Sequence, residues 1–193
     1  MFEWEKYRLC NNWYEILPLD EFRNKPIKYL EIGSFYGGNI ISVAENYGSH
    51  AESELYCIDP YIDYDEYPEY KGKQQQIYTS FLKNIEPYKN IKHIRGFSHK
   101  EISKFEDEFF DIIYLDGNHE PDFVLEDAVL SFRKLKPGGI LIFDDFGWHG
   151  VFSTTRGIIG FMDSYHKKIK YLGEKETQIF IKKNWNWYIY LLN

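Results

Sequence analysis

Ile27-Lys28-Tyr-Leu-Glu31-Ile32-Gly33-Ser34-Phe35-Tyr-Gly37-Gly38-Asn39 decides the fold. An apolar run of strand length, Ile27–Ile32, breaks at Gly33, and the glycines at 37 and 38 sit where a helix should begin. A strand that turns through glycine into a helix is the opening unit of a parallel α/β sheet, and ligands of such sheets bind at that edge.

The alternation continues downstream. Leu55–Ile58, Ile91–Ile94, Phe109–Leu115 and Ile140–Phe143 read as strands, most of them followed by a segment of helix length. Between Pro121 and Leu135, the residues Leu125, Ala128, Val129, Phe132 and Leu135 recur at spacings of three and four, which predicts an amphipathic helix. Lys136-Pro137-Gly138-Gly139 ends it. Residues 152–166 predict a weaker helix interrupted by Gly157 and Gly160, and Ile169–Leu172 with Ile179–Lys182 predict a closing antiparallel hairpin. Trp185–Leu192 reads as a final apolar element over a sheet edge. Residues 1–26 read as a helical cap, punctuated by Pro18 and Pro26, ahead of a domain spanning 27–193.

Composition narrows the function classes. A chain of 193 residues with 44% hydrophobic and 19% aromatic content carries enough apolar mass for one self-sufficient core. The net charge is −7 and the 23 Lys and Arg are scattered, so the basic footprint of a nucleic-acid binder is missing. No run approaches the roughly 20 apolar residues of a membrane span, and the charged start lacks a signal-peptide core, so a cytoplasmic protein without a membrane partner is expected. Cys10 and Cys57 lack metal spacing and read as reduced core thiols.

The glycine turn favours a nucleoside ligand without phosphates. A dinucleotide fingerprint would place glycine at 35, where Phe35 obstructs a pyrophosphate, and no Gly-Lys-Ser/Thr follows the turn. Asp59 ends the second strand, 26 positions after Gly33, where a carboxylate can accept ribose hydroxyls; a plain strand-end turn would use the same residue. Phe97, Ser98 and His99 follow the third strand, where an adenine could be covered and bonded at its edge.

A second cluster is acidic. Asp116 closes the fourth strand and Asp144-Asp145 close the fifth, which projects three carboxylates toward one crevice. Two such charges about 4 Å apart repel by roughly 4 kcal/mol at an effective dielectric near 20, so the group protonates, spreads apart or holds a hard divalent cation, Mg²⁺ first. In the bland alternative Asp145 caps the next segment and Asp116 only meets the cofactor. His119, in Asp116-Gly-Asn-His119, is a candidate general base, and His149 a second one. Tyr61–Tyr70 alternates acids with tyrosines and reads either as a solvated loop or as a lid whose rings stack on substrate.

In this order and spacing, Glu31-x-Gly33, Asp59, Gly96-Phe97-Ser98 and Asp116 resemble the class I S-adenosylmethionine-dependent methyltransferases across roughly residues 27–183. The resemblance implies a Rossmann-like doubly wound α/β sheet in the order 3-2-1-4-5-7-6, with strand 7 antiparallel. It implies S-adenosyl-L-methionine as cofactor, with Gly33 and Ser34 near its methionine portion, Glu31 and Asn39 at its amino-acid end, Asp59 on the ribose, and Ser98 and His99 at the adenine. The acids narrow it to the metal-dependent O-methyltransferases, a branch that includes the catechol enzyme and the macrocin, mycinamicin and aminocoumarin sugar enzymes. Asp116, Asp144 and Asp145 match that branch's metal ligands. His119 matches the base of the mycinamicin type, whereas the aminocoumarin base position is Asn118, which cannot take a proton.

The expected activity is therefore methylation of a small-molecule hydroxyl, on a sugar or nucleotide sugar in the first place, with a homodimer as the candidate assembly. Metal-independent N-methylation, a non-catalytic nucleoside-binding protein and an NAD-dependent oxidoreductase are the competing readings.

Overall fold

The computed structural model describes residues 5, 7–148 and 154–185. Seven strands, β1 (Lys28–Ile32), β2 (Glu54–Asp59), β3 (Ile91–Arg95), β4 (Phe110–Leu115), β5 (Leu135–Phe143), β6 (Ile169–Lys175) and β7 (Gln178–Lys183), form one sheet in the order β3-β2-β1-β4-β5-β7-β6. The first five are parallel, and β7 runs antiparallel to both of its neighbours. Order and polarity both match the expectation. Parallel neighbours demand crossovers, and these are α2 (Gly38–Glu45), α3 (Gln74–Ile85), α4 (Ser98–Glu101), α5 (Pro121–Lys134) and α6 (Thr154–Tyr165), with a short α1 (Asp20–Arg23) ahead of β1.

Strand alternation sends side chains into two separate cores. Tyr29, Ile112, Tyr114, Ile142 and Phe180 face α2, α3 and the N-terminal segment. Leu30, Ile32, Ile113, Leu141 and Ile181 face α5 and α6. Both cysteines are free and buried, and desolvation pushes the Cys10 thiol up to about 12.

The N-terminal segment is helical in short pieces. Leu9–Glu15 forms a 3₁₀ helix, and Trp13 is fully buried among Tyr29, Tyr47, Tyr114 and Phe180. Its indole N–H donates to Gln178 Oε1 at 3.0 Å. A single anchored aromatic thus sets the path of the segment, and two consecutive asparagines disfavour a longer α-helix there. β5 also begins earlier than the apolar run suggests, because Leu135 already pairs with Phe110 through an irregular register. Of the expected terminal element, all but Trp185 lies outside the described residues.

Candidate active site

The ends of β1, β2, β4 and β5 meet at one edge of the sheet. Gly33 leaves β1 with φ +83°, and a Cβ there would lie 1.9 Å from the carbonyl oxygen of Asp116. The glycine is therefore required by the close approach of two chain segments as well as by its backbone angle. Phe35 also takes a positive φ, 47°. This unfavourable turn is held by Asp59, whose Oδ2 accepts the N–H groups of Ser34 (2.9 Å) and Phe35 (3.1 Å), while Oδ1 accepts that of Tyr61 (2.8 Å). Burial raises the Asp59 carboxyl, and the three backbone donors counter it. Asp59 thus braces the turn in addition to lying where a ribose was expected.

Beneath the turn, Glu31 Oε2 accepts from Tyr29 Oη at 2.8 Å and from Asn39 Nδ2 at 2.9 Å. Asn39 Oδ1 in turn accepts the Cys10 N–H. Desolvation pushes Glu31 up to about 8 despite these donors. The Ser34 hydroxyl is buried beside Cys57 without an oxygen or nitrogen partner. At the far end of the crevice, Phe97 is 43% exposed and packs 5.6 Å from the His99 ring, and Ser98 begins α4.

Asp127 faces Ser98 from α5. It is buried and lines the crevice with Asp116, Gly117 and His119, and burial pushes it up to about 6. Sequence reasoning missed it. The signal was a charge on the apolar face of a helix, next to Ala128 and one turn from Val124.

The reaction centre brings together Asp116, His119 and Asp145, whose donor atoms all lie within 4.8 Å of one another. His119 Nε2 is 2.9 Å from Asp145 Oδ2 and 3.8 Å from Asp116 Oδ1, yet it is buried and has no aligned hydrogen-bond partner. Burial alone would lower the imidazole, but Asp116 and Asp145 outweigh it and push His119 up to about 11. Asp116 rises well above the carboxylate range through desolvation and its neighbours Asp144 and Asp145, with His119 opposing.

Asp144, expected beside Asp116 and Asp145 as a third acid, has other partners in this structure. It accepts from Tyr114 Oη, from Thr177 Oγ1 at 3.1 Å and from the N–H of Asp145 at 2.8 Å. The cause is local: Asp145 adopts φ +57°, and the Tyr114 and Thr177 hydroxyls hold the preceding carboxylate on their side. His149 lies outside the described residues.

The acidic, tyrosine-rich loop reaches this centre. Glu66 Oε1 lies 2.9 Å from His119 Nδ1, and Tyr67 Oη lies 3.1 Å from the same nitrogen. The loop is tied to the glycine turn, because Tyr61 Oη donates to the Phe35 carbonyl at 3.0 Å and the Tyr70 ring packs edge-on against Phe35 at 5.1 Å.

Residues 30–146 match a family described as a methyltransferase domain. The chain belongs to that family. This methyltransferase-domain chain is 27% identical over 129 residues to an uncharacterized protein of Acanthamoeba polyphaga mimivirus; the match covers 65% of this chain and 54% of the relative, so the chain spans about half of that relative's length. Its structure is similar to the O-methyltransferase TomG of Streptomyces achromogenes, solved with S-adenosylmethionine. There the TM-score is 0.65 at 14% identity, over 95% of this chain and 91% of the other. It is also similar to MycE, a methyltransferase of the mycinamycin biosynthetic pathway solved with Mg and S-adenosylhomocysteine. There the TM-score is 0.58 at 16% identity, over 90% of this chain and 49% of the other. At these identities the likeness is one of fold, the class I methyltransferase fold. Among the described residues no helix is long and apolar enough to cross a membrane.

Proposed function

We propose that this protein is an S-adenosylmethionine-dependent O-methyltransferase acting on a hydroxyl of a small molecule, with a divalent cation at Asp116 and Asp145 and with His119 as the proton acceptor. One observation carries the reading: the buried His119 ring at the sheet edge, with Nε2 2.9 Å from Asp145 Oδ2 and 3.8 Å from Asp116 Oδ1. Two carboxylate oxygens suit a hard divalent ion of the Mg²⁺ and Mn²⁺ type, and leave the imidazole beside them for the proton. The unpartnered Ser34 hydroxyl and the Glu31–Asn39 pair beside the glycine turn suit the polar amino-acid end of the cofactor.

When bound, S-adenosylmethionine supplies a methyl group on a sulfonium, and the cation supplies positive charge that acidifies a nearby hydroxyl. The protein does the rest. Glu31 offers a carboxyl group that an ammonium would help to ionise, Asp59 keeps the Gly33–Gly37 turn in its strained conformation, and Phe97 and Ser98 cover the nucleoside end. Its carboxylate neighbours favour the imidazolium form of His119; with their charge compensated by a cation, the Nε2 proton would pass to solvent, and Nε2 could then accept the proton of the acceptor hydroxyl as oxygen takes the methyl group from sulfur. A sugar or nucleotide sugar is the favoured acceptor class, in keeping with the Asp-Gly-Asn-His motif and with a tyrosine-bearing loop able to stack on a ring.

The test is methyl transfer to a panel of methyl glycosides, nucleotide sugars and catechols, with and without EDTA. His119→Ala and Asp145→Asn should each cut kcat by about 10²–10⁴ while S-adenosylhomocysteine affinity is retained. Activity that survives both changes and EDTA would point to metal-free transfer to an amine.

A further inference from the structure

The loop between β2 and α3 meets both halves of the site, and its contact with His119 has no counterpart in the roles assigned so far. His119 sits 53 positions from Glu66, yet the Glu66 carboxylate lies in ion-pair range of Nδ1, 2.9 Å away. The Tyr67 ring packs edge-on against the imidazole at 5.9 Å, with its hydroxyl 3.1 Å from the same nitrogen. Nε2, on the opposite side of the ring, is the nitrogen that faces Asp116 and Asp145.

We infer that Glu66 is a positioning residue that accepts the Nδ1–H of His119, fixes the ring's orientation and tautomer, and so presents Nε2 to the reacting hydroxyl. The inference rests on the reading of His119 as proton acceptor. A carboxylate oxygen can only accept here, so the pair requires the proton on Nδ1 and leaves Nε2 as the nitrogen turned to the crevice. Carboxylates behind functional imidazoles act in this way, and their loss typically costs 10- to 100-fold in affinity or activity.

The loop's other anchors hold the contact in place. Tyr61 and Tyr70 bind it to Phe35 in the cofactor turn, and Asp63 Oδ1 accepts the N–H of Gly72 at 2.8 Å to close it on itself. Glu66 is thereby delivered to His119 by a loop that is itself fixed to the glycine turn. The loop contributes function beyond the stacking surface that its tyrosines suggest.

Two readouts test this. In protein labelled with ¹⁵N-histidine, long-range ¹H–¹⁵N NMR should show a protected proton on Nδ1 of His119, assigned by its absence in His119→Asn. Glu66→Ala should remove that protection, whereas Tyr67→Phe should keep it. In turnover with S-adenosylmethionine and the best acceptor of the panel, Glu66→Ala should lower kcat roughly 10- to 100-fold with KM little changed, and Glu66→Asp should recover part of the loss. An unchanged Nδ1 signal in Glu66→Ala overturns the proposal, and so does a kcat within about twofold of wild type in a variant that melts normally. If His119→Ala itself retains full activity, the reading of the base fails, while the NMR result still decides whether Glu66 holds the ring.

Discussion

The two halves of the site solve the problem of buried charge in opposite ways. At the glycine turn, Asp59 is saturated by three backbone N–H groups and Glu31 by two side-chain donors, so the chain satisfies its own acids. At the ends of β4 and β5, Asp116 and Asp145 share one imidazole whose Nε2 points at both without aligning with either. The first half is complete before any ligand arrives, as a preorganised binding site should be. The second is electrostatically unfinished, and that is where added positive charge would be stabilised.

The largest effect should come from breaking the joint between the halves. In Gly33→Ala the new methyl carbon would fall 1.9 Å from the Asp116 carbonyl oxygen, which belongs to backbone and cannot rotate away. The positive φ adds strain of its own. The cost should reach about 4 kcal/mol or more, seen as a collapse of the melting temperature, and cofactor affinity should fall with it. A Gly33→Ala protein that melts like wild type would show that β1 and β4 do not meet as closely as described.

A smaller effect separates the halves by pH. Glu31 has its carboxyl raised from 4.5 to about 8 in the folded protein, so the native state holds a proton that the unfolded chain releases. Its contribution to stability is full below pH 4.5 and declines as pH rises toward 8, at up to about 1.4 kcal/mol per pH unit. Glu31→Gln cannot ionise and should flatten this part of the profile in urea melts between pH 5 and 8, against wild type at the same ionic strength. A parallel pair of profiles would mean that the Tyr29 and Asn39 donors already keep Glu31 ionised.

The contrast also marks what a sequence can convey. The strands, the closing hairpin and the α5 helix were legible because apolar runs, glycine breaks and three-and-four spacing are local signals, whereas the order of the strands came only from the family resemblance. Asp116 and His119 were legible for the same reason, sitting three positions apart after a strand. Which of Asp144 and Asp145 stands beside His119 was not legible, since that depends on the left-handed conformation of one residue and on the Tyr114 and Thr177 hydroxyls. Glu66 was invisible as a partner of His119 because a loop 53 positions away has to fold back over the sheet edge to deliver it. Trp13 carried a local helical signal, but its burial among four rings from four distant stretches of chain was not legible.

The smallest expected effect tests the unfinished half alone. A cation that binds the folded protein and not the unfolded chain stabilises it by RT ln(1 + [L]/Kd), about 2.7 kcal/mol at a hundredfold excess over Kd. For a chain of this size that is a rise in Tm of roughly 5–10 °C, to be read by calorimetry with Mn²⁺ or Mg²⁺ titrated into protein stripped with EDTA. Asp145→Asn removes one donor and should abolish the rise. Asp144→Asn should preserve most of it, because that carboxylate is turned toward Tyr114 and Thr177. Equal loss in both variants would place the two acids around one ion. No shift in wild-type protein would mean that His119, flanked by Asp116 and Asp145, already supplies all the positive charge this half requires. The contrast between a finished and an unfinished half would then disappear.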